Sequence, residues 1–211
     1  MTEDVFRSPK KRGKIAVFLS GRGSNFMAIH SAVIAGKINA DIDIVFSNKK
    51  EAPGLAFAQK NALHTLYLKP KDFTSREDYD RRITEVIKER DVDLICLAGY
   101  MRILTQEFCA AFPNKILNIH PALLPAFPGL HVQQKAIDWG VRFSGATVHF
   151  VTPEVDMGPI VIQAVVPVLQ DDTEESLSER ILKEEHRIYP EAVRLYFEGR
   201  LEVRGRRVFL I

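Results

Sequence analysis

The sequence predicts an α/β fold: a doubly wound, mostly parallel sheet flanked by helices, with an antiparallel edge. Continuous apolar runs, such as residues 14–20 and 93–98, are typical of strands buried on both faces. Helical patterns separate the first five such runs, and this alternation is typical of a parallel sheet. No helical pattern lies between the runs at residues 146–151 and 160–168, which predicts the antiparallel edge.

Seven strands and six helices are predicted before the C-terminal tail. Thr74 and Glu77 form a capping-box pattern that predicts Thr74 as a helix cap, and Pro190 predicts an interruption of the last helix. Residues 201–211 predict a small hairpin. The strands are residues 14–20, 40–46, 64–68, 93–98, 116–119, 146–151 and 160–168, and the helices are residues 26–36, 53–61, 75–90, 105–112, 131–139 and 174–197.

The composition is that of a soluble globular protein of 211 residues, with 46% hydrophobic and 27% charged residues. A net charge of +2 indicates neither a nucleic-acid nor a membrane partner, and no window has the apolar length of a membrane span. We expect residues 1–13 to be a flexible N-terminal tail and residues 14–211 to form a single domain. Cys96 and Cys109 have no metal-binding or redox spacing, so we expect a cytoplasmic location.

The Gly-Arg-Gly-Ser-Asn motif at residues 21–25 joins the first strand to the first helix. Backbone N–H groups and the helix dipole make such a junction a site for an anion. A dinucleotide is disfavoured because Phe26 occupies the place of the third glycine, and a nucleoside triphosphate because the Walker lysine is absent. Two interpretations remain open: a site for one phosphate monoester, or a tight turn with Ser24 or Asn25 as a helix cap.

An amide and an imidazole lie two residues apart in Asn118-Ile119-His120-Pro121, so in an extended strand they point to the same side. Pro121 ends the strand because it has no N–H for the sheet. Both groups therefore stand at a carboxyl end, where open α/β sheets bind ligands. The alternative is that both side chains only make hydrogen bonds to neighbouring residues. The rigid Pro-Ala-Leu-Leu-Pro turn that follows favours a chemical role.

Three further candidates lie on other segments. Residues 101–104 follow the fourth strand, where they either line a pocket for a flat aromatic ligand or belong to the core. Asp156 lies in an acidic loop and is either solvated or able to reach His120. Arg76 lies in the first turn of a helix, where a cation is unfavourable to the dipole, so a ligand contact and a solvated side chain both remain open.

Several of these motifs occur together in one order along the chain. The segments concerned are residues 20–25, 46–49, 75–77, 97–104, 118–130 and 148–159, with Glu185-His186 and Ile188-Tyr189-Pro190. Over residues 14–199 the chain resembles glycinamide ribonucleotide formyltransferases, the folate-dependent enzymes of purine biosynthesis. The resemblance implies a Rossmann-like fold and transfer of a formyl group from 10-formyltetrahydrofolate to the amine of glycinamide ribonucleotide.

The resemblance also implies roles for individual residues. Two positions depart from the family pattern, because Ala122 replaces a usual serine and Met157 stands where glycine is common, but neither removes a catalytic group. The implied catalytic residues are Asn118, His120 and Asp156; the ribonucleotide residues are Gly23, Ser24, Asn25 and Glu185; and the folate residues are Arg76, Met101, Arg102, Ile103, Leu104, Asn118, Thr152, Pro153, Glu154, Val155 and Asp156.

The catalytic residues suit such a transfer without a metal or a covalent nucleophile. Attack of a primary amine on the formyl carbon produces an oxyanion, to which the Asn118 amide and a protonated His120 can both donate. His120 can then assist protonation of the leaving nitrogen, N10 of the folate. A nearby Asp156 carboxylate would favour the charged imidazole.

Two other classes of protein remain as alternatives. One is a metal-dependent hydrolase with His120, His149 and Asp156 as ligands, although His149 by itself is interpreted as a hydrogen-bonded structural histidine. The other is a nucleotide-phosphate sensor that uses only the turn at residues 21–25. We expect small-molecule substrates, no metal, no nucleic-acid or membrane partner, and a monomer or homodimer.

Overall fold

A computed structural model describes residues 11–211, so most of the predicted N-terminal tail, residues 1–10, lies outside the described residues. The strands are β1 (Gly13–Leu19), β2 (Ala40–Ser47), β3 (Thr65–Tyr67), β4 (Leu94–Leu97), β5 (Ile116–His120), β6 (Phe143–Phe150), β7 (Ile160–Pro167), β8 (Leu201–Arg204) and β9 (Arg207–Leu210). The α-helices are α1 (Ser24–Ile34), α2 (Pro53–Lys60), α3 (Arg76–Glu89), α4 (Gln106–Ala111), α5 (Val132–Asp138) and α6 (Glu174–Phe197).

The described strands form one sheet in the order β3-β2-β1-β4-β5-β6-β7-β9-β8. The strands β1 to β5 pair in parallel, whereas β6 is antiparallel to both β5 and β7. The predicted fold class is therefore confirmed. The predicted C-terminal hairpin also forms, and it extends the sheet because β9 pairs with β7 through Ile160 and Arg207.

The central strand β1 shows why the apolar runs are continuous. Ile15, Val17 and Leu19 pack on one face of the sheet with residues of α1, α2 and α6. Ala16 and Phe18 pack on the other face with residues of α3 and α4. Successive side chains of a strand point to opposite faces, so a strand covered by helices on both sides requires apolar residues at every position.

The predicted cap of α3 is wrong by one residue. Ser75 has an extended backbone, with φ of −146° and ψ of 170°, and its hydroxyl oxygen accepts a hydrogen bond from the Asp78 N–H at 3.0 Å. Thr74 lies one residue too early for this contact, and its hydroxyl donates to the Asp78 carboxylate instead. Serine and threonine are both good N-cap residues, and Ser75 is the cap because it immediately precedes the first residue of the helix.

The predicted interruption at Pro190 is also wrong, because α6 is continuous from Glu174 to Phe197. A proline inside a helix removes one backbone hydrogen bond and crowds the preceding turn. Here the residues on both sides are fixed by tertiary packing, since Ile188, Tyr189 and Val193 are completely buried. This packing stabilises the helix across the proline.

Strands β1, β4 and β5 bring their carboxyl ends to the same edge of the sheet, where the Ser20 N–H donates to the Gly99 carbonyl at 3.0 Å. Because β6 runs antiparallel to β5, its end at Phe150 lies opposite Leu117. The loop after β6 therefore returns along β5 and brings Asp156 to His120.

Candidate active site

The structure brings His120 and Asp156 together at the end of β5. His120 Nδ1 lies 3.4 Å from Asp156 Oδ2, and both side chains are nearly buried. The same carboxylate oxygen accepts a hydrogen bond from the Gly129 N–H at 2.9 Å. Asp156 has a left-handed backbone, with φ of 56°, so the acidic loop turns sharply at the residue that contacts the histidine.

The second nitrogen of His120 contacts the loop after β5. Nε2 lies 2.9 Å from the Phe127 carbonyl oxygen, which can only accept a hydrogen bond. One nitrogen of the ring thus faces a carbonyl and the other faces the Asp156 carboxylate. Both nitrogens can donate at once only when the imidazole is charged.

Asn118 is oriented by His149, its direct neighbour across the antiparallel pair of β5 and β6. His149 Nδ1 lies 2.9 Å from the Phe150 carbonyl oxygen, so this nitrogen donates and Nε2 is left to accept from the Asn118 amide at 3.2 Å. Burial lowers the pKa of His149, which agrees with a neutral ring. The contact engages one N–H of the Asn118 amide and leaves the other for a ligand.

A cavity of about 470 Å³ opens beside these side chains. Met101 and Ile103 are 62% and 54% exposed at its wall, whereas Leu104 is buried in the core. Arg76 does not line it; its half-exposed side chain lies 3.8 Å from Glu77. The predicted folate residues that do line it are Met101, Arg102, Ile103, Leu104, Asn118, Thr152, Pro153, Glu154, Val155 and Asp156.

The segment from Gly129 to Gln133 also lines the cavity, although no site residue was predicted there. It contains His131, whose left-handed backbone has a φ of 57° at the start of α5. The tight turn at Pro128 and Gly129 was visible in the sequence, but nothing local indicated that it would fold over β5. The contact of the Gly129 N–H with Asp156 spans 27 residues of chain.

The glycine turn after β1 forms a second, separate part of the site. Gly23 is the N-cap residue of α1, with φ of 74° and no side-chain cap, so neither Ser24 nor Asn25 caps the helix. Asn25 is buried instead, and its Nδ2 donates to Glu185 Oε2 at 2.6 Å. Burial raises the pKa of Glu185, although the hydrogen bond from Asn25 opposes this effect.

Helix α6 places Glu185 relative to the strand ends. One turn further along, the Tyr189 hydroxyl lies 3.1 Å from the Leu97 carbonyl oxygen and 2.9 Å from that of Leu117. Leu97 is the last residue of β4, and Leu117 lies within β5, three residues before its end at His120. The four predicted ribonucleotide residues, Gly23, Ser24, Asn25 and Glu185, therefore meet at the carboxyl edge of the sheet but do not line the cavity.

Within residues 11–211, no group of three or more His, Cys, Asp or Glu side chains has an arrangement that could hold a metal ion. No helix in the same range is long and apolar enough to cross a membrane.

A doubly wound sheet with an amide, an imidazole and a carboxylate beside a cavity has the parts of an acyl-transfer enzyme. The formyl transferase family model matches residues 13–193, and the chain belongs to this family. The chain is 42% identical over 189 residues to the phosphoribosylglycinamide formyltransferase of Escherichia coli. This match covers 90% of this chain and 89% of that protein.

Two further relatives also match most of this chain. The crystal structure of glycinamide ribonucleotide transformylase 1 from Symbiobacterium toebii is similar with a TM-score of 0.94 and 48% identity, over 96% of this chain and 95% of that one. The trifunctional purine biosynthetic protein adenosine-3 of Drosophila melanogaster is 46% identical over 192 residues. That match covers 90% of this chain but only 14% of the Drosophila protein.

Proposed function

We propose that this protein transfers a formyl group from 10-formyltetrahydrofolate to the amine of glycinamide ribonucleotide, a step of purine biosynthesis. The observation that carries the proposal is that Asn118 and His120 line a cavity at the same carboxyl edge of the sheet as a second, separate subsite. One subsite is the apolar cavity, and the other is the glycine turn with Glu185. A transfer between two bound molecules requires this arrangement, because proximity of the two substrates supplies much of the rate.

The glycine turn suits the phosphate and ribose of the acceptor. The N-terminus of α1 presents backbone N–H groups and the positive end of the helix dipole to an anion. Glu185 adds a buried carboxyl group that can accept hydrogen bonds from ribose hydroxyls. The Asn25 Oδ1 atom, which is buried without a hydrogen-bond partner among the described residues, offers one further acceptor.

The cavity suits the flat heteroaromatic ring of the donor. Met101 and Ile103 provide apolar surface, and the backbone of the same segment is free to bind polar ring edges. Among the described residues, neither the N–H nor the C=O groups of Arg102, Ile103 and Leu104 have a hydrogen-bond partner. Arg76 is proposed as a more distant folate contact outside the cavity.

The reaction needs only proton donors and a positioned amine. The amine nitrogen of the acceptor forms a bond to the formyl carbon, and the carbonyl oxygen becomes an oxyanion. The free N–H of the Asn118 amide stabilises this oxyanion by donation, and a protonated His120 stabilises it as a nearby positive charge. The bond from carbon to N10 then breaks, N10 receives a proton with the assistance of His120, and the attacking nitrogen loses one. The products are formylglycinamide ribonucleotide and tetrahydrofolate. Asp156 lies 3.4 Å from His120 Nδ1 and holds the ring in this orientation.

The proposal extends to the rest of the protein. We propose that residues 14–211 act as a single domain, as a monomer or homodimer in the cytoplasm, without a metal cofactor. Residues 11–13 lead directly into the sheet, since Gly13 begins β1 and its N–H donates to the Asn39 carbonyl at 3.1 Å.

The test is a formyl-transfer assay with glycinamide ribonucleotide as the acceptor. We expect equal amounts of tetrahydrofolate and formylated ribonucleotide, and no change on addition of a metal chelator. A reaction without the acceptor is the control for hydrolysis. Release of formate at the same rate in that control would contradict the proposal and indicate a hydrolase. Loss of activity in chelator would indicate the metal-dependent alternative.

A further inference from the structure

The cavity wall at residues 101–104 is held at both ends by buried side chains that do not line the cavity. At its start, the Ser20 hydroxyl oxygen accepts a hydrogen bond from the Met101 N–H at 2.8 Å. At its end, Asp80 Oδ2 accepts from the Thr105 N–H at 2.7 Å. Ser20 and Asp80 are 4% and 2% exposed, so neither can touch a ligand in the cavity.

The Asp80 carboxyl group interacts with Arg102 in the wall and with Thr105 at its end. Burial raises the pKa of Asp80, while the hydrogen bonds from Thr105 and the charges of Arg102 and Arg76 lower it. The Arg102 guanidinium lies 4.8 Å from the centre of the Tyr79 ring, next to Asp80 on α3. A buried carboxyl group is costly without such partners, so α3 and the wall hold each other in place.

Ser20 provides the second attachment. Its hydroxyl donates to Asn48 Oδ1 at 2.6 Å while it accepts from Met101, and its N–H donates to the Gly99 carbonyl at 3.0 Å. These contacts join the loops that follow β1, β2 and β4. Ser20 immediately precedes the glycine turn, so it connects the wall of the cavity to the acceptor subsite.

Between the two attachments the wall has little backbone support of its own. Within the described part of the chain, the backbone groups of residues 102–104 make no hydrogen bonds. Their position therefore depends on the backbone contacts at Met101 and Thr105, together with the burial of Leu104 and the contact of Arg102 with the Tyr79 ring. A backbone strip that recognises a ligand must be held within a fraction of an ångström of its productive geometry.

We infer that Asp80 and Ser20 are positioning residues for the formyl donor, which they serve by fixing the wall on which the donor ring lies. The inference rests on the proposed function and assigns the donor side of the same site. We therefore expect loss of these contacts to weaken donor binding and to leave the acceptor subsite intact. Asp80 is the cleaner test, since Ser20 adjoins the acceptor turn.

The experiment compares Asp80→Ala and Asp80→Asn with the unmodified protein. We expect Asp80→Ala to raise the KM for 10-formyltetrahydrofolate about tenfold. This is the fold-change that corresponds to the loss of one hydrogen bond to a charged acceptor. The KM for the ribonucleotide should stay within about twofold. Asparagine retains an oxygen that can accept from the Thr105 N–H, so Asp80→Asn should recover part of the donor affinity.

Asp93→Ala is the matched control. Asp93 Oδ2 accepts a hydrogen bond from the Lys14 N–H at 2.9 Å, which is the same kind of contact at the opposite edge of the sheet. We expect this variant to lower the free energy of unfolding without changing the KM for the donor. Ser20→Ala should resemble Asp80→Ala in its effect on the donor.

Binding of tetrahydrofolate measured by calorimetry separates this inference from the proposed function, because it requires no turnover. Weaker binding to Asp80→Ala and Ser20→Ala, with normal binding to Asp93→Ala, would support the inference even if glycinamide ribonucleotide proved to be the wrong acceptor. Unchanged binding to Asp80→Ala, or an equal loss in Asp93→Ala, would overturn it while leaving formyl transfer untouched.

Discussion

The glycine turn and the end of β5 lie at the same edge of the sheet but are built by different means. At the turn, the shape of the backbone matters most: Gly23 has a φ of 74°, and a Cβ atom there would lie 3.2 Å from the Gly54 Cα. At the end of β5, side chains matter most, since Asn118 and His120 are each oriented by a partner from β6 or its loop. The proposed binding turn thus depends on backbone conformation, whereas the proposed catalytic groups depend on side-chain contacts.

Asn118→Ala should show the largest effect, because it deletes one donor to the oxyanion. We expect kcat to fall by about 10²–10³-fold, the loss typical of one such donor. Binding of each substrate should change much less, since the contact strengthens in the transition state. Steady-state kinetics together with calorimetry would check this, and a rise in either KM as large as the fall in kcat would contradict it.

Asp156→Asn should reduce kcat by about 10²-fold, because the carboxylate charge that faces His120 Nδ1 is lost from the site of oxyanion stabilisation. Asparagine keeps an oxygen for the Gly129 N–H, so the loop should remain in place. The double variant with Asn118→Ala should lose less than the product of the two factors, as expected for groups that act as one unit. Fully multiplicative losses would mean that Asp156 and Asn118 act independently.

Gly23→Val addresses the other side of the comparison. A β-branched side chain at positive φ costs about 1–2 kcal/mol, and the close approach of Gly54 adds to this. We expect weaker binding of the ribonucleotide with nearly unchanged binding of the folate. Gly36→Val is the control, since Gly36 also has a positive φ, of 69°, but nothing within 4 Å of a Cβ. Equal losses for both ligands would argue against a dedicated phosphate turn.

The fold was predictable because each strand has a recognisable pattern in its own local sequence. The apolar runs, the helix periods and the missing helix between β6 and β7 are all properties of neighbouring residues. One wrong assignment occurred where two local signals compete, and the other where tertiary packing overrides a local signal. Thr74 and Ser75 are both good caps, and at Pro190 the tertiary packing of α6 overrides the usual effect of proline.

The site was predictable only in part, for a similar reason. Asn118 and His120 share one strand, so their common direction follows from the sequence. The orientation of Asn118 by His149 depends on the register between β5 and β6, and the contact between His120 and the Phe127 carbonyl depends on the path of a loop. Neither is encoded in a motif. Asp80 was missed because its partner, Thr105, is 25 residues away.

Glu185→Gln should have the smallest effect on kinetics and the clearest effect on pH dependence. Glutamine can still accept hydrogen bonds but carries no charge, so we expect the KM for the ribonucleotide to rise by less than about tenfold and the KM for the folate to stay constant. The reverse order of effects would remove Glu185 from the acceptor subsite.

The same variant tests the buried carboxyl group without substrate. Burial raises the pKa of Glu185 above the ordinary value of 4.5, so the folded protein holds this proton more tightly than the unfolded chain does. The stability that this provides is complete below pH 4.5 and is lost as the pH rises through the folded-state pKa. Glutamine has no proton to lose, so the difference in free energy of unfolding, variant minus original, should increase over that window and then become constant. Urea unfolding at a series of pH values would measure this difference. A difference that does not change with pH would show that Glu185 titrates in the folded protein as it does in the unfolded chain.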